Sequence, residues 1–155
     1  MGVYTEAFYH FVWATRKREW FITGAVERDL HRFIHGKCDV LRVHIYALNG
    51  MPDHVHLVVG IPATLSVSDF MEAVKGTSAH HINHLPNQPD CLYWQPGYGL
   101  LTFAQSDLKR VVAYVENQKR HHAVGGLLSP KMERTADWEA KSQPREAGVP
   151  GVRAP

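Results

Sequence analysis

The chain has 155 residues and a formal net charge of +2, which fits one domain with a buried core. Its 45% apolar and 21% charged content is ordinary for a globular protein, and no apolar run approaches the roughly 20 residues of a membrane span. The N-terminal Met-Gly-Val-Tyr-Thr-Glu lacks the pattern of a secretory signal. Cys38 and Cys91 are far apart and form no C-x-x-C pair, so free thiols and a cytoplasmic location are expected.

Residues 4–15 are aromatic and β-branched and predict a first strand. The cluster Arg16-Lys17-Arg18 follows in the loop leaving it, where its charge suits phosphate contacts. Val26, Leu30, Phe33 and Ile34 recur at helical spacing from Gly24 to about Lys37. Residues 39–49 alternate and predict a second strand. Asn49-Gly50 then reads as a hairpin turn into a third strand. Ser66 or Ser68 can cap a helix running to about Asn83. Its His80-His81 and the following His84 read better as a polar helix end than as a metal site. Tyr93 to Gly99 is an aromatic, glycine-rich connection, and residues 100–104 a short fourth strand. A helix over 106–122 stops before Gly125-Gly126. On it Leu108, Val111, Val112 and Val115 form the expected packing side, with Tyr114 and Gln118 on a neighbouring face.

Beyond Pro130 the chain turns polar. The expectation is a domain over 1–130 and a mostly disordered tail over 131–155, with Trp138 set apart. The order β-α-β-β-α-β predicts an α+β fold of the ferredoxin-like, split-βαβ kind. Its antiparallel sheet carries helices on one face, and a C-terminal helix follows.

The stretch that points to chemistry is Pro52-Asp53-His54-Val55-His56-Leu57. Side chains alternate along a strand, so His54 and His56 share a face, roughly 6.5–7 Å apart at Cα. Their imidazoles can converge on one divalent ion. Alone the triplet does not define a site; it needs a third ligand and a reacting group.

Together with Tyr93-Trp94-Gln95-Pro96-Gly97-Tyr98-Gly99 and then Tyr114-Val115-Glu116-Asn117-Gln118, in that chain order, the triplet resembles the HUH-type single-tyrosine transposases. These are the insertion-sequence TnpA transposases and the REP-associated tyrosine transposases, and the resemblance spans roughly residues 4–124. It implies that His54, His56 and Gln118 bind a divalent metal and that Tyr114 is the catalytic nucleophile. It implies a reaction that cleaves and rejoins single-stranded DNA at hairpin element ends through a 5′-phosphotyrosine. It further implies a homodimer in which one subunit's tyrosine helix can complete the other's site. Imidazole and oxygen ligands suit Mn²⁺, while the resemblance favours Mg²⁺.

Arg16, Lys17, Arg18, Lys75, Lys119 and Arg120 are DNA-contact candidates by charge, and Tyr93, Trp94 or Tyr98 could stack bases. His121, His122 or water could accept the proton of Tyr114. The alternatives are a domesticated REP-associated nuclease, a non-catalytic nucleic-acid-binding module and a hydrolytic metal phosphodiesterase.

Overall fold

A computed structural model describes residues 2–86, 92–120 and 133. The elements are β1 (Phe8–Ala14), α1 (Gly24–Val40), β2 (His44–Met51), β3 (His54–Gly60), α2 (Val67–Asn83), β4 (Gly99–Phe103) and α3 (Leu108–Glu116). The four strands form one antiparallel sheet in the order β2-β3-β1-β4. This is the expected ferredoxin-like α+β arrangement. No described helix is long and apolar enough to cross a membrane.

The two central strands, β1 and β3, are covered on both faces. Phe11, Trp13, Val55, Leu57 and Val59 face α1 and α2 and join Leu30, Ile34, Phe70 and Val74 in the main core. The opposite face meets α3 through Ala47, Val58, Val111, Tyr114 and Val115. Burial on both faces explains why β3 reads as a nearly continuous apolar run broken by histidines.

Two boundaries differ from expectation, each for a local reason. Helix α1 runs on to Val40, three residues past Lys37, and β2 begins only at His44. The helix ends in a Schellman motif, with Val43 N–H donating to Cys38 O at 2.8 Å and Arg42 N–H to Asp39 O at 3.2 Å. Its left-handed position is filled by Arg42, at φ 57°, so the usual glycine signal is missing.

The β2–β3 hairpin forms as expected, but its turn is Pro52-Asp53 rather than Asn49-Gly50. Gly50 pairs with Val55 inside the ladder. A Cβ on Gly50 would lie 2.2 Å from His54 O, so glycine serves a close backbone approach there and not a turn. The Pro52-Asp53 turn is pinned from outside the hairpin. Ile22 N–H donates to Pro52 O and Thr15 N–H to Asp53 O, both at 2.9 Å.

At α2 the expected cap is present: the Ser66 hydroxyl accepts from Asp69 N–H at 3.1 Å. The last helix is shorter than the expected 106–122. A 3₁₀ turn over Gln105–Asp107 precedes α3, which breaks at Asn117. The Asn117 side-chain amide folds back to donate to Ala113 O at 2.7 Å, the same carbonyl that accepts from its backbone N–H at 3.1 Å. A helical turn resumes over 118–120. His121, His122, Gly125, Gly126, Trp138 and Cys91 lie outside the described residues.

Candidate metal and tyrosine centre

Strand β3 carries His54 and His56 on the face turned toward α3, and both are buried. Each imidazole is oriented through its Nδ1. His54 Nδ1 lies 2.6 Å from Asp53 Oδ1. A carboxylate accepts only, so Nδ1 carries a proton and Nε2 is the candidate ligating atom. His56 Nδ1 lies 2.8 Å from His10 Nε2 on the neighbouring strand β1. Burial first, and the adjacent His56 second, push His10 down to about 3, so it is neutral. The contact with His10 occupies His56 Nδ1 and leaves Nε2 as its candidate ligating atom. Hydrogen bonds of this kind fix ring orientation where histidines bind a metal.

Both Nε2 atoms lie 3.2 Å from one oxygen, Oε2 of Glu133. Three ligand atoms, one each from His54, His56 and Glu133, fall within 4.8 Å of one another, the one such group of His, Cys, Asp or Glu among the described residues. Two lone-pair carriers at this spacing require a cation between them, either a proton or a metal ion. His80 and His84 instead stack on each other at 4.0 Å between ring centroids, at the end of α2, in keeping with a polar helix end.

The other oxygen of the same carboxylate faces α3. Tyr114 Oη donates to Glu133 Oε1, and the Gln118 amide donates to it at 3.2 Å. His54, His56, Tyr114 and Gln118, whose site roles rested on resemblance, are therefore gathered around one side chain. Tyr114 and Gln118 do not lie beside the packing stripe of α3, as expected, but within it. Val111, Tyr114, Val115 and Gln118 are the buried positions, an i, i+3, i+4, i+7 series pressed on the sheet. Burial, then the bond to Glu133, raise the Tyr114 hydroxyl well above its ordinary value. Burial alone would raise Glu133, but bonds from His54 and His56 outweigh it and hold the carboxyl far below its ordinary range. For His54, burial is likewise outweighed by its bonds to Asp53 and Glu133, and its value is raised.

The C-terminal end of α3 is tied to the β2–β3 hairpin. Asn49 donates to Glu116 O at 2.9 Å and accepts from Lys119 Nζ at 2.9 Å. Lys119 also pairs with Glu27 of α1 at 3.1 Å. Of the DNA-contact candidates, Lys119 thus braces the helix that carries Tyr114. Lys75 donates to the carbonyls of Gln95 and Gly97, holding the aromatic connection, and burial lowers it to about 8.

Arg18 pairs with Asp53 at 3.6 Å, behind His54. Arg16 stacks on Tyr93, 4.4 Å from its centroid. Arg16, Lys17 and Arg120 are exposed. Trp94 and Tyr98 pack against the main core, which leaves Tyr93 as the exposed ring of the three.

Two site residues escaped the sequence reading. His10 is a lone histidine in an aromatic strand, where only cross-strand register reveals it. Glu133 falls in the segment expected to be a disordered tail, and the rest of 131–155 lies outside the described residues.

A ferredoxin-like sheet presenting a histidine pair to a tyrosine-bearing helix defines the class. Residues 3–118 match the family described as "Transposase IS200 like", and the chain belongs to that family. It is 27% identical over 115 residues to the ISDra2 transposase TnpA of Deinococcus radiodurans, covering 71% of this chain and 82% of the relative. The transposase for insertion sequence element IS200 of Salmonella typhimurium is 27% identical over 126 residues, covering 78% and 82%. A crystal structure from Deinococcus radiodurans R1 aligns with a TM-score of 0.56 and 29% identity, covering 74% of this chain and 93% of that one. The fold is also shared with a REP-associated tyrosine transposase bound to a REP hairpin, at a TM-score of 0.59 and 19% identity over 82% and 76%.

Proposed function

We propose that this IS200-like transposase cleaves and rejoins single-stranded DNA at hairpin ends, with Tyr114 as nucleophile and a divalent ion held at His54 and His56. The observation that carries this reading is the shared carboxylate. Tyr114 Oη and both Nε2 atoms meet opposite oxygens of Glu133, so nucleophile and imidazole pair lie within one side chain's span.

The donor set fits a divalent metal: two buried imidazoles aimed by Asp53 and His10, with oxygen donors beside them. His54 and His56 would hold the ion, and Gln118 offers the amide oxygen that resemblance assigns as third ligand. When bound, Mg²⁺ or Mn²⁺ supplies the charge that polarises a phosphoryl oxygen.

The chain's own residues do the rest. Tyr114 Oη attacks phosphorus as it loses its proton, the P–O3′ bond breaks, and a 5′-phosphotyrosine and a 3′-OH result. A later 3′-OH attacks the same phosphorus and releases the tyrosine, so the bond is remade without ATP. Arg16, Lys17 and Arg120 are exposed and suited to phosphates, and Tyr93 to base stacking. Arg18, paired with Asp53, and Lys119, bound to Asn49, support the site from behind, while Lys75 holds the aromatic connection. The hairpin-bound state of the REP-associated structure supports a hairpin partner here. We also propose a cytoplasmic homodimer, tested by light scattering. In this chain Tyr114 already lies against His56 of its own sheet, ring centroids 6.0 Å apart.

The test is a labelled single-stranded hairpin oligonucleotide incubated with Mg²⁺ or Mn²⁺ and run on a denaturing protein gel. Label that migrates with the wild-type protein, and is lost with EDTA and with Tyr114→Phe, is the expected result. Cleavage that survives Tyr114→Phe without an adduct would overturn the nucleophile and support hydrolysis. Binding without cleavage would support the non-catalytic module.

A further inference from the structure

We propose that Glu133, fifteen residues beyond the family-matched stretch 3–118, is itself a ligand of the metal and bridges it to the nucleophile. Its Oε2 completes the set begun by His54 and His56, while its Oε1 holds the Tyr114 hydroxyl. The inference rests on the metal reading of the histidine pair and adds to it a residue that the resemblance does not supply.

Three observations carry it. The first is spacing. Ligand atoms about 2.1 Å from a common ion lie about 3.0 Å apart at right angles and about 3.4 Å apart at the tetrahedral angle. Glu133 Oε2 lies 3.2 Å from both Nε2 atoms, between those limits. The second is direction. Asp53 and His10 occupy the far sides of the two rings, so each ring turns its ligating nitrogen toward the same oxygen. The third is the second oxygen. It accepts from Tyr114 and Gln118, so both carboxylate oxygens are engaged and the side chain is only 13% exposed.

The chemistry suits the ion. A carboxylate is a hard oxygen ligand, and it lowers the net charge of a divalent centre built from two neutral imidazoles. Through its other oxygen, the same group sets where the tyrosine hydroxyl sits relative to the metal. Gln118 then serves both as a neighbouring oxygen donor and as an orienting contact for Glu133.

A carboxylate in this place has one rival role, that of an occupant which must leave before metal can bind, and the two roles predict opposite signs. Mn²⁺ binding to the full chain is measured by titration calorimetry and by the EPR signal of free Mn²⁺. The variants are Glu133→Gln, Glu133→Ala, Tyr114→Phe and His56→Ala, with circular dichroism and thermal melts confirming folding. As a ligand, Glu133 makes either of its substitutions weaken Mn²⁺ binding by at least about 10-fold, while Tyr114→Phe stays within about 2-fold. Unchanged or tighter binding in both Glu133 variants would overturn the proposal and identify the carboxylate as a competitor. Glu133→Ala keeps the test open if the glutamine variant does not fold. If His56→Ala also leaves binding unchanged, the metal reading of the histidine pair fails, a result separable from failure of the role of Glu133 alone.

Discussion

The two faces of the sheet are built from the same strands by the same alternation, yet they do different work. Toward α1 and α2, β1 and β3 present Phe11, Trp13, Val55, Leu57 and Val59, all apolar and buried. Toward α3 the intervening positions present His10, His54, His56 and Val58, equally buried. A buried polar group must have its partners supplied. The α3 face supplies them in a chain, His10 to His56, Asp53 to His54, and Glu133 to both histidines. One face therefore stabilises the fold, and the other has its polar groups held in place by it. The contrast predicts that substitutions on the two faces separate stability from chemistry.

The largest separation is expected from paired substitutions one residue apart. His56→Ala should take the DNA adduct below detection in the hairpin gel assay, while the protein still unfolds cooperatively in urea. Leu57→Ala should do the reverse. It empties a fully buried position of the main core, a change that costs about 2–5 kcal/mol. Its surviving folded fraction should form adduct at the wild-type rate per folded molecule. An adduct rate in Leu57→Ala that falls far more than the folded fraction would show that the two faces are mechanically coupled.

A smaller effect should follow from His10, which touches neither metal nor substrate. His10→Leu keeps an apolar volume in β1 but removes the hydrogen-bond partner of His56 Nδ1. Loss of such an outer partner typically costs about 10–100-fold in metal affinity. The adduct yield should fall at limiting Mn²⁺ and recover at saturating Mn²⁺. A loss that no Mn²⁺ concentration restores would place His10 in the folding of the sheet rather than in orienting His56.

How far the sequence foretold these faces depends on the distance over which each signal acts. Strand alternation placed His54 and His56 together and opposite Val55 and Leu57, because that rule is local to three or four residues. The element order predicted the sheet and both packing helices. The hairpin turn was misplaced because Asn-Gly is a strong turn signal, whereas Gly50 answers to a backbone approach by His54. The end of α1 was misplaced because Arg42 takes a conformation that glycine usually marks. Tyr114 and Gln118 were set off the buried stripe because polarity argued for a different face. Glu133 receives a hydrogen bond from each, which gives their buried polar atoms a partner. Glu133 itself carried no local signal. It lies 77 residues from His56, and in a polar segment one glutamate resembles any other.

The smallest expected effect tests whether the α3 face depends on the hairpin that frames it. Asn49 joins β2 to the end of α3, donating to Glu116 O and accepting from Lys119. Asn49 is only partly buried, and its substitution by alanine removes two hydrogen bonds near solvent. The net contribution of each such bond is about 1 kcal/mol or less, so Asn49→Ala should lower stability by about 1–2 kcal/mol in urea titration. Its second consequence concerns chemistry. With the anchor gone, the turn carrying Gln118 is less firmly seated, while Tyr114, one turn earlier and packed on Val58 and Ala47, keeps its place. Adduct formation should therefore fall only a few-fold, and chiefly at limiting metal. A loss as deep as that of His56→Ala would mean that the hairpin, and not the apolar stripe of α3, sets the position of Tyr114.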